Sequence, residues 1–361
     1  MESQFRKIKD EIQEGDLVLA WMTRTNVKPV IVQDGEQMNT RYGAFPHKNM
    51  IGKKYGTQLA SSSKHGFIHL MAPTPELWTL SLPHRTQIVY TPDASYIVQR
   101  LKIRPGSRVI ESGTGSGSFT HMISRTVGSK GKVFTFEFHE PRFHQARQEI
   151  EDHGLSDTVT ITHRDVCNDG FGIDGVDINA TAIFLDLPSP WAAIPHVVKV
   201  ADRSRAVQVC SFSPCIEQVA RTVEALKKEG FQRIEMVEVS AKKWEGRKEM
   251  VKSVNDAVER LRDVKRRRVE GLEKRNRRID AESQGEKRQL EESGSESATD
   301  SQQSTPAPGL PKGYNPWGKG LRVKEGDENY QWTNVSRMET EIKSHTSYLT
   351  FALLPPQMPT L

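Results

Sequence analysis

In Glu111-Ser112-Gly113-Thr114-Gly115-Ser116-Gly117-Ser118 an acid is followed by seven residues that alternate small hydroxyl side chains with glycine, between a strand-like stretch and a helix-like one. Glycine lets a backbone turn sharply and approach a ligand, and the first turn of a helix offers free N–H donors, so such a turn suits a nucleotide-like ligand. Gly113, Gly115, Ser116, Gly117 and Ser118 are therefore candidate cofactor contacts. A tight loop holding no ligand is the plainer reading of the same residues. The spacing is G-x-G-x-G rather than the dinucleotide form G-x-G-x-x-G, which counts against an NAD-dependent oxidoreductase.

Twenty residues after Gly117, Glu137 stands at the end of the next apolar stretch. A carboxylate there can accept hydrogen bonds from both ribose hydroxyls of a nucleoside cofactor. Asp165, in His163-Arg164-Asp165-Val166-Cys167, ends the third stretch and could accept an adenine amino group or simply cap the following turn. Asp186 opens Asp186-Leu187-Pro188-Ser189-Pro190-Trp191 at the end of the fourth. Ligands of open α/β sheets bind beyond the carboxyl ends of the strands, so Asp186 should face the reactive end of the site, as a hydrogen-bond acceptor there or as loop structure alone.

These residues need a parallel sheet to position them, and the pattern from about Thr91 onward supplies one. A helix from Pro92 to about Leu101 precedes strands at 108–112, 132–137, 158–163, 180–187, 205–212 and 231–239, with helices expected at 119–127, 141–153 and 215–229. Strands alternating with helices predict a doubly wound α/β domain. Residues 1–80 read instead as short strands broken by Gly, Asn, Asp and Pro, a small all-β domain without a helical period of adequate length. A last strand is expected at 345–354. The predicted division is 1–80, then 81–244 together with 314–361, with 245–313 as an insertion between strands six and seven.

The insertion carries the basicity of the chain. Of a net charge of +5, the segment from Lys242 to Asp280 contributes +7, with 15 basic against 8 acidic residues. Nucleic-acid contact, a nuclear-import signal at Lys265-Arg266-Arg267-Arg268 and a merely solvated helix all fit this run. Residues 281–309 lack aromatics and nearly all large apolar side chains and are expected to be disordered. Cys167, Cys210 and Cys215 form no C-x-x-C pair, so neither a zinc site nor a disulfide framework is expected. A charged N-terminus and the lack of any apolar run of membrane-spanning length predict a soluble intracellular protein.

The phrases LWTLSLPHRTQIVYTPD, ESGTGSG, VFTFEFH, RDVC, FLDLPSPW and CSFSPCIEQV resemble the catalytic-subunit family of the tRNA adenine-58 N1-methyltransferases, over roughly residues 15–240 and the last strand. The resemblance implies a Rossmann-like class I methyltransferase fold with a seven-stranded, mostly parallel sheet, S-adenosylmethionine as cofactor and no metal. It adds Gln87, Val89, Arg142 and Val166 to the cofactor contacts, beside Ser116, Gly117, Ser118, Glu137, Asp165 and Asp186. It implies tRNA as substrate and a noncatalytic sister subunit in a heterotetramer of two copies of each chain; the import-signal reading of residues 265–268 predicts a nuclear location. Methyltransferases acting on exocyclic amines often carry (D/N)-P-P-(Y/F) at strand four; D-L-P-S-P-W here favours a ring nitrogen, with Asp186 as the catalytic acceptor. A methyltransferase of a small molecule or protein side chain, or a noncatalytic RNA-binding subunit, would be the alternatives.

Overall fold

The computed structural model describes residues 3–7, 9–23, 26–63, 66–83, 87–240, 244–251, 253–285, 328, 331–338 and 347–357. The chain divides into two compact units, 1–241 with 343–361, and 242–342.

The first unit begins with β1 (Leu17–Thr23), β2 (Asn26–Ile31), β3 (Gln37–Thr40), β4 (Gly43–Pro46), β5 (Gln58–Ala60) and β6 (Phe67–Met71). β2, β1, β6 and β5 pair antiparallel in that order, and β3 and β4 form a separate hairpin. Successive side chains of a strand point to opposite faces. Val18 and Ala20 accordingly join one core with Phe45, Ile68 and Leu70, while Leu17 and Leu19 join another with Phe5, Trp78 and Ile88. The second face is covered by α1 (Pro75–Ser81), a helix where only strands were expected. Its signal was local: Thr74 accepts a hydrogen bond from the Leu77 N–H, and Pro75 sits at the first helical position.

Next come α2 (Thr91–Arg100), β7 (Arg108–Ser112), α3 (Ser118–Val127), β8 (Lys132–Glu137), α4 (Glu140–Asp152), β9 (Val159–His163), α5 (Val166–Asp169), β10 (Ala182–Leu185), α6 (Pro190–Val200), β11 (Val207–Ser213), α7 (Ile216–Lys228) and β12 (Gln232–Glu238). Among the described residues the sheet has seven strands; with the last, β15 (Tyr348–Leu354), the order is β12-β15-β11-β10-β7-β8-β9. β9, β8, β7, β10 and β11 run parallel, and β15 is antiparallel to both β11 and β12. Both faces are covered, which explains the near-continuous apolar strands. Val109, Val133, Phe184, Phe212 and Phe351 pack with Ile97 of α2 and Phe119 and Ile123 of α3, whereas Ile110, Phe136, Ile183, Val209 and Leu354 pack with Ile194 of α6 and Leu226 of α7. α7 ends before Gly230, whose φ of +78° closes it.

The second unit contains β13 (Trp244–Met250) and β14 (Trp332–Met338), an antiparallel pair, and α8 (Val254–Gly285), 32 residues long. Residues 281–285 of the stretch expected to be disordered are therefore helical; its remainder, 286–309, and the expected ordering around 314–317 lie outside the described residues. No described helix is long and apolar enough to cross a membrane.

Candidate active site

The turn after β7 is built by close packing against the turn after β10. Gly113 donates its N–H to the Phe136 carbonyl at 2.9 Å, and Asp186 donates its N–H to the Ser112 carbonyl at 2.8 Å. Gly113 has a φ of +88°, and a β-carbon there would meet the Asp186 carbonyl oxygen at 2.1 Å, so both conformation and space require glycine. Gly117, with φ +71° and ψ +5°, is the N-cap of α3. The cleft so formed is lined by Gln87, Val89, Glu111, Gly113, Thr114, Gly115, Ser116, Ser118, Phe119, Phe184 and Asp186.

Glu137 ends β8 with only 3% of its surface exposed. Its Oε2 accepts the Gly115 N–H at 2.9 Å; its Oε1 accepts the His139 N–H at 2.9 Å and two donors of Arg142, Nε at 3.2 Å and Nη2 at 2.9 Å. A carboxylate oxygen offers two lone-pair directions, so Oε2 keeps one for a ligand hydroxyl. Arg142 thus holds the carboxylate in place. Asp165 caps α5, accepting the Cys167 N–H at 3.0 Å through Oδ1 and the Asn168 side-chain amide at 2.7 Å through Oδ2. Val166 is buried in the core beneath α6.

Glu111 carries a part of the site that the loop motif alone did not assign. It is 1% exposed and accepts the Thr120 hydroxyl at 2.6 Å. Burial pushes its carboxyl up to about 7, opposed by hydrogen bonds from Thr120 and Thr135 and reinforced by Asp186 and Glu137. The Asp186 carboxyl is likewise raised to about 7, first by burial and then by Glu137. The available signal was a lone acid within the otherwise apolar Val109-Ile110-Glu111. Phe119 and Phe184, whose rings meet edge to face at 4.5 Å, floor the cleft as core residues and offered no separate signal.

Two neighbours brace this geometry. α1 is tied to α3 by the Glu76–Arg125 ion pair and by the Thr79 and Ser118 hydroxyls at 2.7 Å, and the Ser118 hydroxyl also donates to the Val89 carbonyl at 3.1 Å. Gln218 of α7 donates its amide to the Pro188 carbonyl at 2.9 Å, and Arg221 lies over the Trp191 ring at 5.1 Å, which steadies the segment following Asp186.

The chemistry of the cleft fits S-adenosylmethionine. Glu111 and Asp186 line it and are raised further by the nearby Glu137, and neither Glu111 nor Asp186 has a cationic partner among the described residues, so a positively charged ligand relieves their repulsion. Glu137 keeps an acceptor on Oε2 for a ribose hydroxyl. Among the described residues no group of His, Cys, Asp and Glu has the arrangement to hold a metal ion.

A family model described as tRNA methyltransferase complex GCD14 subunit matches residues 66–354. The chain is 61% identical over 355 residues to the tRNA (adenine(58)-N(1))-methyltransferase catalytic subunit TRM61 of Yarrowia lipolytica, covering 98% of this chain and 89% of that one. The subunit of the same name from Schizosaccharomyces pombe is 45% identical over 359 residues, covering 98% and 97%. Among solved structures, a SAM-dependent O-methyltransferase from Thermotoga maritima superposes with a TM-score of 0.64 at 22% identity, covering 98% of each chain. The tRNA (m1A58) methyltransferase TrmI of Aquifex aeolicus gives 0.59 at 19% identity, covering 95% of this chain and 98% of that one. These two establish the class I methyltransferase fold. Sequence, fold and cleft agree, and the chain belongs to the tRNA methyltransferase complex GCD14 subunit family.

Proposed function

We propose that this protein transfers a methyl group from S-adenosylmethionine to N1 of adenine 58 in tRNA, with Asp186 as its catalytic residue. The observation that carries this reading is the position of Asp186, lining the same cleft as the glycine turn in a chain 61% identical to a catalytic subunit named for that reaction. The cofactor supplies a methyl group already activated on a sulfonium centre. The task left to the chain is alignment and charge stabilisation. Glu137, steadied by Arg142, holds the ribose; Gly113, Gly115, Ser116, Gly117 and Ser118 form the turn around it; Gln87 and Val89 close the side facing α1. Asp165 keeps acceptor capacity on Oδ2 for the adenine amine, with Val166 packed behind it. Asp186 accepts a hydrogen bond from the exocyclic amine of the substrate adenine and stabilises the positive charge that the ring gains.

The target base has to leave its stack to reach the cleft, which costs a few kcal/mol that RNA contacts offset. A sister subunit related by fold, with two copies of each chain, provides part of that surface; the family description as a complex subunit supports an assembly. The β domain of residues 1–80 contributes RNA or subunit contacts, and the basic run at 265–268 supports a nuclear location. Transfer of labelled methyl to unmodified tRNA, with and without the sister subunit, tests the proposal when adenine 58 is compared with guanine. Label that persists in the guanine variant, or no label in the full complex, would refute it. Light scattering of the purified complex tests the two-plus-two stoichiometry.

A further inference from the structure

The cofactor turn is gripped from behind by a buried residue that does not line the cleft. His121, one turn into α3, is 1% exposed. The Gly117 carbonyl accepts both its backbone N–H, at 3.1 Å, and its ring Nδ1, at 2.6 Å. A carbonyl oxygen only accepts, so Nδ1 of His121 carries the proton and Nε2 is left as an acceptor. The atom facing Nε2, at 2.8 Å, is Nδ1 of His153, which must therefore donate. One carbonyl in the cofactor turn thus dictates the tautomer of two imidazoles in series. Burial keeps both rings neutral, pushing His121 down to about 3 with help from His153, and His153 down to about 4.

The series is closed by the N-terminal segment. Phe5 packs on both imidazoles at centroid distances of 4.7 and 4.9 Å, Trp78 packs on them at 5.6 and 4.7 Å, and the Ser3 hydroxyl donates to the His153 carbonyl at 2.6 Å. The 117–118 peptide is where this arrangement acts. Across a trans peptide the N–H points opposite to the C=O. Clamping the Gly117 carbonyl into α3 therefore aims the Ser118 N–H away from the helix, towards the Ser116 hydroxyl at 3.4 Å, and Ser116 and Ser118 both line the cleft.

We propose that His121, its Nδ1–H directed at the Gly117 carbonyl and its Nε2 accepting from His153, is a positioning residue for cofactor binding: it fixes the 117–118 peptide in the orientation that S-adenosylmethionine requires. This rests on the reading of the cleft as the cofactor site.

The test uses the enzyme in its active complex. The side-chain amide nitrogen of asparagine occupies the place of Nδ1, so His121→Asn keeps the donor to Gly117, whereas His121→Leu keeps bulk and loses it. His121→Leu should weaken cofactor binding, read as KM and by calorimetry, by about tenfold, the scale of one hydrogen bond, with kcat at saturation nearly unchanged. His121→Asn should recover most of the affinity, and His153→Asn, which keeps its own donor, should stay close to wild type. Long-range nitrogen spectra of the unmodified protein should show both rings protonated at Nδ1. Equal impairment by Leu and Asn would reduce His121 to packing, and a ring protonated at Nε2 would break the series; either overturns the proposal. Wild-type protein that binds no S-adenosylmethionine would overturn the cleft reading and the proposal together, while normal binding by His121→Leu overturns the proposal alone.

Discussion

The backbone carbonyl of Asp186 lies where a side chain on residue 113 would begin, 2.1 Å from a β-carbon built on Gly113. The turns after β7 and β10 therefore touch backbone to backbone. Neither can retreat, because Ser112 and Leu185 are paired in the adjoining parallel strands β7 and β10. Gly113→Ala adds left-handed strain of about 1–2 kcal/mol to this clash. We expect a thermal midpoint lowered by several degrees and cofactor affinity reduced at least about tenfold; calorimetry showing wild-type affinity would disprove the contact.

Asp186→Asn keeps the size of the side chain and removes its charge. A carboxylate that stabilises developing positive charge is worth about 10²–10³ in rate, by analogy with single oxyanion-hole donors. We predict a fall in kcat of that order for Asn and at least as much for Ala, with tRNA affinity within about threefold of wild type by filter binding. Turnover near wild type would remove Asp186 from the chemistry.

The raised carboxyls of Glu111 and Asp186 make cofactor binding depend on pH. In the ligand-free fold both lose their protons near 7 instead of at their ordinary values of 4.5 and 3.8. A bound cation favours the ionised forms, so binding releases protons wherever the free enzyme still holds them. Affinity for S-adenosylmethionine should rise as pH is raised from about 5 to about 7 and level off above, and Glu111→Gln should flatten the rise. The stability of the ligand-free protein runs the opposite way: these two groups favour the fold at low pH, and their contribution is lost as pH rises through about 7. Titration calorimetry at several pH values in buffers of different ionisation enthalpy checks the proton count, and pH-independent affinity would contradict it.

The N-terminal segment should matter beyond its length. Phe5 is 3% exposed between Trp78, His121 and His153, and Phe5→Ala should cost about 3 kcal/mol or more by the usual scale for buried aromatics. Arg6 donates to the Thr158 hydroxyl at 2.8 Å, the Gly154 carbonyl at 3.2 Å and Asp157 at 2.6 Å. Because Asp157 is 60% exposed, Arg6→Ala should cost less, about 1 kcal/mol. Urea denaturation checks the order, and a larger loss for Arg6→Ala would reverse the assignment.

Much of the sheet was legible because its strands are buried on both faces and so read as uninterrupted apolar runs bounded by turns. Glu137 was legible from its distance behind the glycine turn. α1 escaped because seven residues are too few to show a helical period, although Thr74 and Pro75 mark its start. α6 was likewise not assigned: Pro190 opens it at a permitted position, but Pro195 inside it argues against a helix on sequence grounds. The β13–β14 pair joins residues far apart in sequence across a charged segment, for which no local pattern exists. The clasp of Ser3, Phe5 and Arg6 on 153–158 is of the same kind, since isolated side chains meet partners about 150 positions away. Arg142, a cofactor contact by resemblance, donates to Glu137 across a helix start that no local pattern links to it.

Glu238 and Tyr348 face each other across β12 and β15, so the chain leaves the sheet and returns to it at neighbouring positions. To the sheet, the intervening hundred or so residues are a closed detour: the entropy of tying off such a detour grows only with the logarithm of its length. Lengthening or shortening it therefore changes the closure cost of the sheet only slightly. The segment that carries the chain's net positive charge is thereby one whose length the sheet scarcely registers.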